Sequence, residues 1–312
     1  MKVLRFALLL TGATLFFAAC KKDDKPKPPT DLTPEDFVYY TSNDTVYRVK
    51  ATGGTPEMLF NGTDDANGAF KNNEITDIAI DRTSGKLVLQ THYKVSFTYI
   101  DVVFVGNRDG SGSLTKIVDG KSNGTFSTTD AIDFYGLTAA NGKVYIECDD
   151  KFIGVVNIDG TSPAKLHENV EANLDGWLYT DLEVDPSTNT LFSLGDTAVW
   201  KIGFAANSTP SNIASNKTTT DNFFGYRMTF RKATEELFFI DNEFNRIYKA
   251  KTNGTGYNRL YSLDGEGKAI AVDETSGDLY FSEDNKIQKY TLASSKSTVS
   301  TAYTNPGALA YY

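Results

Sequence analysis

Ala269-Ile-Ala-Val-Asp273, Glu274-Thr-Ser-Gly277, Asp278-Leu-Tyr-Phe-Ser-Glu283, Asp284-Asn285, Lys286-Ile-Gln-Lys-Tyr-Thr-Leu292 is the stretch whose grammar the rest of the chain repeats. Each apolar run is short and rich in β-branched and aromatic residues, and polar turn formers separate the runs. That pattern reads as strand, turn, strand, turn, strand. A fourth strand follows at 297–303. Asp77-Ile-Ala-Ile-Asp81, Arg-Thr-Ser-Gly85, Lys86-Leu-Val-Leu89 is nearly the same unit. Asp181-Leu-Glu-Val-Asp185 with Thr190-Leu-Phe-Ser193 is another, and Tyr226-Arg-Met-Thr-Phe230 with Glu236-Leu-Phe-Phe-Ile240 a third, with Arg231 where the others have Asp. Tyr135-Gly-Leu-Thr138 with Lys143-Val-Tyr-Ile146 is a shortened version. The second strands start at Leu87, Val144, Leu191, Leu237 and Leu279, spaced by 42 to 57 residues. Four strands at a period near ~45 residues define propeller blades.

The two ends complete the count. Phe37-Val-Tyr-Tyr-Thr41 aligns with Leu279-Tyr-Phe-Ser-Glu283, so the fold starts at a second strand. Gly307-Ala-Leu-Ala-Tyr-Tyr312 is a lone first strand. Pairing the tail beside Phe37 closes the ring and removes two exposed sheet edges. The expected fold is all-β: a six-bladed β-propeller of four-stranded antiparallel blades over residues 37–312, its first blade closed by the C-terminal strand. No segment past the N-terminus sustains a helical apolar stripe.

Residues 1–19 read as a signal peptide. Lys2 and Arg5 precede an apolar run from Phe6 to Phe17, which is shorter than the ~20 residues a membrane span needs. Phe17-Ala18-Ala19-Cys20 resembles the lipobox of bacterial lipoproteins, with Phe17 where that family usually has Leu. The resemblance implies cleavage before Cys20 and acylation of Cys20, with palmitate among the chains attached. Several acyl chains give stable anchoring. Lys21-Lys22-Asp23-Asp24-Lys25 resembles the surface-export signal of Bacteroidetes lipoproteins, which implies an outer-membrane location facing the cell exterior. Pro26, Pro28, Pro29 and Pro34 make residues 20–36 an extended tether. Cys148 is the one other cysteine, so once Cys20 is acylated no internal disulfide can form.

The repeats resemble the YWTD/NHL/SMP-30 class of six-bladed propellers, through Leu237-Phe-Phe-Ile-Asp241 with Arg246-Ile-Tyr-Lys249, and Leu279-Tyr-Phe-Ser-Glu283 with Lys286-Ile-Gln-Lys289. The resemblance implies that first strands line a central channel. It also implies that ligands sit on the face gathering the loops before first strands and those between second and third strands. Those loops are aromatic: Phe134 and Tyr135, then Trp177 and Tyr179, then Phe223, Phe224 and Tyr226, with His92, Tyr93 and Phe97 in blade two and Phe244 in blade five. Tyr135, Trp177, Tyr179, Phe224, Tyr226 and His92 are the candidate ligand-binding residues, since convergent flat rings suit sugars and peptides. The competing expectation is that such rings pack between blades. Asp149, Asp150, Asp196, Asp241, Glu243, Glu283 and Asp284 follow second strands and read first as turn residues, with a ring at the channel mouth that attracts a cation or a basic ligand as the alternative. Asp81, Asp185 and Asp273 read as turn formers at the ends of first strands.

The formal net charge of −9 repels phosphate backbones, so no nucleic acid partner is expected. Asp65, Asn67 and Glu74 fall in a stretch similar to a calcium loop, although Thr63 stands at its first ligand position. Calcium is the one cofactor the sequence brings up. Two histidines and the absence of any serine-hydrolase, zinc-protease or P-loop motif assign no catalytic residue. The leading expectation is a lipid-anchored surface binding module for a glycan or protein. A metal-dependent enzyme of the lactonase or lyase kind and a structural subunit of an outer-membrane complex are the alternatives.

Overall fold

Second strands such as Leu237-Phe-Phe-Ile240 are apolar on both faces, so a sheet built on them needs a partner on each side. The computed structural model supplies it. It describes residues 36–62, 74–95, 98–121, 126, 131–149, 152–168, 179–205, 208–215, 222–291, 295–301 and 306–312. Blade 1 holds β1 (Phe37–Ser42), β2 (Thr45–Lys50) and β3 (Glu57–Phe60). Blade 2 holds β4 (Glu74–Asp81), β5 (Lys86–Val95), β6 (Thr98–Asn107) and β7 (Thr115–Asp119). Blade 3 holds β8 (Phe134–Ala140), β9 (Lys143–Cys148), β10 (Phe152–Asn157) and β11 (Ala164–Glu168). Blade 4 holds β12 (Tyr179–Asp185), β13 (Thr190–Gly195), β14 (Ala198–Gly203) and β15 (Ser211–Ser215). Blade 5 holds β16 (Gly225–Arg231), β17 (Glu236–Asp241), β18 (Arg246–Lys251) and β19 (Asn258–Ser262). Blade 6 holds β20 (Ile270–Val272), β21 (Leu279–Glu283), β22 (Lys286–Thr291) and β23 (Ser295–Ser300). The last strand, β24 (Leu309–Tyr311), is the inner strand of blade 1, in the order β24-β1-β2-β3. All six sheets are four-stranded and antiparallel, as the repeat predicts.

Six hydrophobic clusters occupy the six seams between consecutive blades. Alternation along a strand feeds two of them at once. Leu237 and Phe239 of β17 join the seam with blade 4, while Phe238 and Ile240 join the seam with blade 6. The closing strand does the same. Ala308 and Ala310 pack toward blade 2, and Leu309 and Tyr311 toward blade 6, where Tyr311 stacks on Tyr280 with centroids 5.0 Å apart. Val38, Tyr39 and Tyr40 pair with Tyr311, Ala310 and Leu309, and Thr41 N–H donates to the Ala308 carbonyl at 3.1 Å.

The inner strands tighten toward the axis. At Gly136 a Cβ would lie 2.8 Å from the Asp181 Cα of blade 4, and at Gly225 one would lie 2.6 Å from the Gly195 carbonyl oxygen. Asp81 accepts from Ser84 N–H and Oγ and from Gly142 N–H of blade 3. Asp185 and Asp273 likewise hold the turns after their strands, as expected. Arg231, the odd member, instead donates to the Glu274 and Thr275 carbonyls of blade 6. One element runs longer than the sequence reading placed it. His92 and Tyr93 lie within β5, in a hairpin of two ten-residue strands with β6. The Thr, Tyr and Val residues there favour extended backbone and carry the ladder past the expected loop.

Deleting residues 307–312 removes the Leu309 and Tyr311 side chains from the ring, at ~2–3 kcal/mol each. The melting temperature should drop by ~10 °C, or cooperative unfolding should be lost, as read by circular dichroism.

Candidate functional site

Four inner strands carry a β-bulge at the same place. The registers shift between Ile75 and Asp77, Phe134 and Gly136, Tyr179 and Asp181, and Gly225 and Arg227. The residues left over are Thr76, Tyr135, Thr180 and Tyr226. A bulge re-aims side chains and frees backbone groups from the ladder, and here both effects are used just below the upper face, the end where inner strands begin.

Tyr135 and Tyr226 are bulge residues. Tyr135 donates to Asp149 Oδ1 at 3.4 Å. Burial, followed by the Asp149 and Asp133 carboxylates, pushes its phenol up to about 12. Next to it, His92 Nδ1 meets Asp101 Oδ1 at 2.5 Å, and Asp101 Oδ2 accepts from Phe134 N–H at 2.6 Å. Burial holds the Asp101 carboxyl above its ordinary range against those bonds. His92 and Tyr135 therefore share one patch at the seam of blades 2 and 3. Phe224 forms a second patch, on blade 5, with Phe244. The rings are 39% and 42% exposed, with centroids 6.2 Å apart, and the Arg246 guanidinium lies 5.0 Å from the Phe244 ring. Tyr226 is half-buried, with the Arg227 guanidinium 4.9 Å from its ring.

Tyr179 begins β12. Trp177, Phe97, Asp150, Cys20, Asp65 and Asn67 lie outside the described residues, and Glu74 is exposed at the start of β4. Phe134 and Phe223 are seam residues, Phe223 being wholly buried against Phe239 and Tyr248. The carboxylates after second strands mostly hold structure. Asp241 is buried and accepts from Glu243 and Phe244 N–H, and Glu283 is buried and paired with Lys296 at 2.7 Å. Asp149 and Asp284 are exposed, and burial raises the half-buried Asp196.

Below this face, one side chain bars the channel. Arg227 donates through Nη1 to the Thr180 carbonyl of blade 4 and through Nη2 to the Thr76 carbonyl of blade 2, both at 2.7 Å. Blade 2 stands opposite blade 5 in the ring, so the guanidinium spans the diameter. The bulges at Thr76 and Thr180 place those two carbonyls within its reach. Two buried carboxylates flank the bar. Asp77 accepts from Leu137 N–H of blade 3 at 3.0 Å, and Asp181 from Met228 N–H of blade 5 at 2.6 Å. Burial raises both carboxyl groups and the Arg227 charge opposes it; Asp77 adds to the rise at Asp181.

Beneath the bar lies a cavity of about 300 Å³, lined by the inner strands of all six blades and leading to the lower face at Arg82, Asn141, Lys232 and Glu274. Its wall is a ring of equivalent repeat positions: Ala79, Thr138, Glu183, Thr229, Ala271 and Ala310. Glu183 is the one acid in that ring. It accepts from Thr138 Oγ1 at 3.3 Å and from Phe230 N–H, and burial pushes its carboxyl up to about 8. Reading loops for function missed Arg227 and Glu183. Their signal was positional, in that Arg227 stands where other repeats have Asp77 and Asp181, and Glu183 where others have Ala or Thr.

No family model matches the sequence, and no curated protein proves similar to it. A chain in the crystal structure of the nidogen/laminin complex superposes with a TM-score of 0.66 at 13% identity, covering 88% of this chain and 98% of that one. The likeness extends over nearly the whole propeller and concerns the fold.

The Glu183 carboxyl gives a pH test. Its folded value of about 8 lies above the ordinary 4.5. Below pH 4.5 it is protonated whether the chain is folded or not. Between 4.5 and 8 only the unfolded chain ionises, so this group's share of stability is lost as pH rises. Glu183→Gln removes that dependence. Urea unfolding should show a gain near zero at pH 4.5 that grows to the order of 3–5 kcal/mol at pH 8.

Proposed function

We propose that this propeller is a non-catalytic binding module, anchored at the outer membrane through an acylated Cys20 and facing the cell exterior, that captures a protein through its upper face. The observation that carries the reading is the Phe224–Phe244 pair. Among the described residues three large apolar side chains are exposed, and two of them are these neighbours. Exposed rings held next to each other, here from the loop before β16 and the β17–β18 turn, are what a partner's apolar side chain buries at an interface hot spot. Arg246 beside Phe244 adds a guanidinium donor to the same patch. Tyr135 and Asp149, with His92 at the seam of blades 2 and 3, also suit a glycan, which is the second ligand class to test. The membership of the similar nidogen/laminin chain in a complex of two proteins is in keeping with a protein ligand.

The experiment compares the purified protein with a Phe224→Ser/Phe244→Ser variant, by biolayer interferometry against outer-membrane protein extracts and by glycan array. Binding should fall at least tenfold while the melting temperature moves by ~1–2 °C at most, as for surface substitutions. Undiminished binding by the variant discards the blade 5 patch as the site. The anchor is tested separately. Cys20→Ala should abolish incorporation of labelled palmitate and shift the protein from the membrane pellet to the soluble fraction.

A further inference from the structure

The cavity under Arg227 is walled off from the upper face, so a ligand there reaches it from the lower face and is separate from the site proposed above. Its floor is Asp77, Asp181 and the Arg227 bar, and its mouth is at Arg82, Lys232 and Glu274. The fold explains most of the wall. The channel-side position of each repeat needs only a small residue, and five of the six blades supply Ala or Thr there. Glu183 breaks that pattern inside a void. It is only partly exposed, and lines the cavity.

Charge and length then define what fits. Three carboxyl groups, Asp77, Asp181 and Glu183, border the inner channel against one guanidinium. Arg227 spends its Nη hydrogen bonds on the Thr76, Thr180 and Tyr226 carbonyls rather than on a carboxylate. Among the described residues no lysine or arginine forms an ion pair with Glu183. At the mouth, Arg82 donates to the Tyr311 carbonyl while its charge acts on Glu183, and Lys232 lies 4.0 Å from Asp185. Ile80, Leu137, Val184 and Val272 make the wall apolar in between. Glu183 stands two residues from Asp181 on the floor and two from Asp185 at the rim, ~7 Å of strand either way. That depth matches an extended butyl or pentyl chain. We propose that this blind well binds an alkylammonium group, entering from the lower face with its methylenes against the apolar wall and its charge on the Glu183 carboxylate. The group comes either from a free amine or from a lysine side chain of a partner.

An empty well holds Glu183 protonated at neutral pH, because burial disfavours the anion. Binding of a cation therefore expels a proton, and affinity rises with pH until Glu183 is ionised. The charged groups that bear on Glu183 are Asp77 and Arg82 from blade 2, Asp181 on its own strand, and Arg227 and Lys232 from blade 5, with Glu274 at the blade 6 rim.

Isothermal titration calorimetry of the purified protein tests this with three probes: 1,5-diaminopentane, N-acetyl-lysine methylamide, and n-butanol as an uncharged analogue of similar shape. At least one of the charged probes should bind at least tenfold more tightly than butanol. Its affinity should rise from pH 6 to pH 8.5, and its heat at pH 7 should vary with buffer ionisation enthalpy in the sense of proton release. Glu183→Gln, which keeps both hydrogen-bond partners and should melt no lower than the wild type, should weaken that probe at least tenfold. Phe224→Ser on the other face should leave it unchanged. Binding of the diamine alone points to a free amine as the source, and binding of the lysine analogue alone to a partner's side chain. The proposal is overturned if neither charged probe binds, if butanol matches them, if affinity is flat or falls with pH, or if Glu183→Gln binds as well as the wild type. None of these results bears on the Phe224–Phe244 face, whose variant is scored independently.

Discussion

Each blade of this protein is apolar on both faces, and that single constraint dictates the closed ring. A strand such as β17 sends alternate side chains into two different cores. Removing either neighbour exposes half of those side chains to water, at ~25 cal/mol per Å² of apolar surface. An open row of such sheets would leave two apolar faces uncovered at its ends. Closing the row is the way to cover both, and β24 does so by building blade 1 from the two ends of the domain. Ala308 and the three residues of β24, all buried, complete both seams beside blade 1.

Closure creates a second constraint at the axis. Every inner strand is a sheet edge, and its free N–H and C=O groups need partners where blades converge. The protein answers with carboxylates that reach from one blade to the backbone of the next: Asp77 to Leu137, Asp181 to Met228, Asp101 to Phe134 and Asp81 to Gly142. Arg227 answers for the carbonyls released by the bulges at Thr76 and Thr180. Among the described residues the buried Arg227 Nε alone in this set lacks a partner, so the bar rests on its two Nη bonds to the opposite carbonyls. The bar and its flanking acids thus serve the ring and also divide the channel into an upper face and a lower well.

The architecture was legible in the sequence because it is local and repeated. Asp81, Asp185 and Asp273 each hold the turn beside them, so their role shows in four consecutive residues. The strands follow from runs of β-branched and aromatic residues with turn formers between them. The site was legible only in part. Phe224 and Phe223 are adjacent and chemically identical, yet one is 39% exposed and the other is wholly buried against Phe239. Which of two neighbouring rings faces water depends on the parity of the strand that follows and on the bulge after Gly225, and neither is visible in composition. Asp241 and Glu283 looked alike as residues after second strands, but both turned inward, to a turn and to Lys296.

The amino-acid order alone determined the number of blades, the split first blade and the turn chemistry, since those rest on spacing and on bonds between near neighbours. Tertiary structure decided the rest. Thr76, Thr180 and Arg227 meet across the channel although 151 residues separate the first from the last, and only the ring's curvature brings them within 2.7 Å. Glu183 likewise became a lone acid in a wall of small residues only when six equivalent positions converged on one axis. Its burial, and hence its proton, belongs to that convergence and not to its neighbours in the chain.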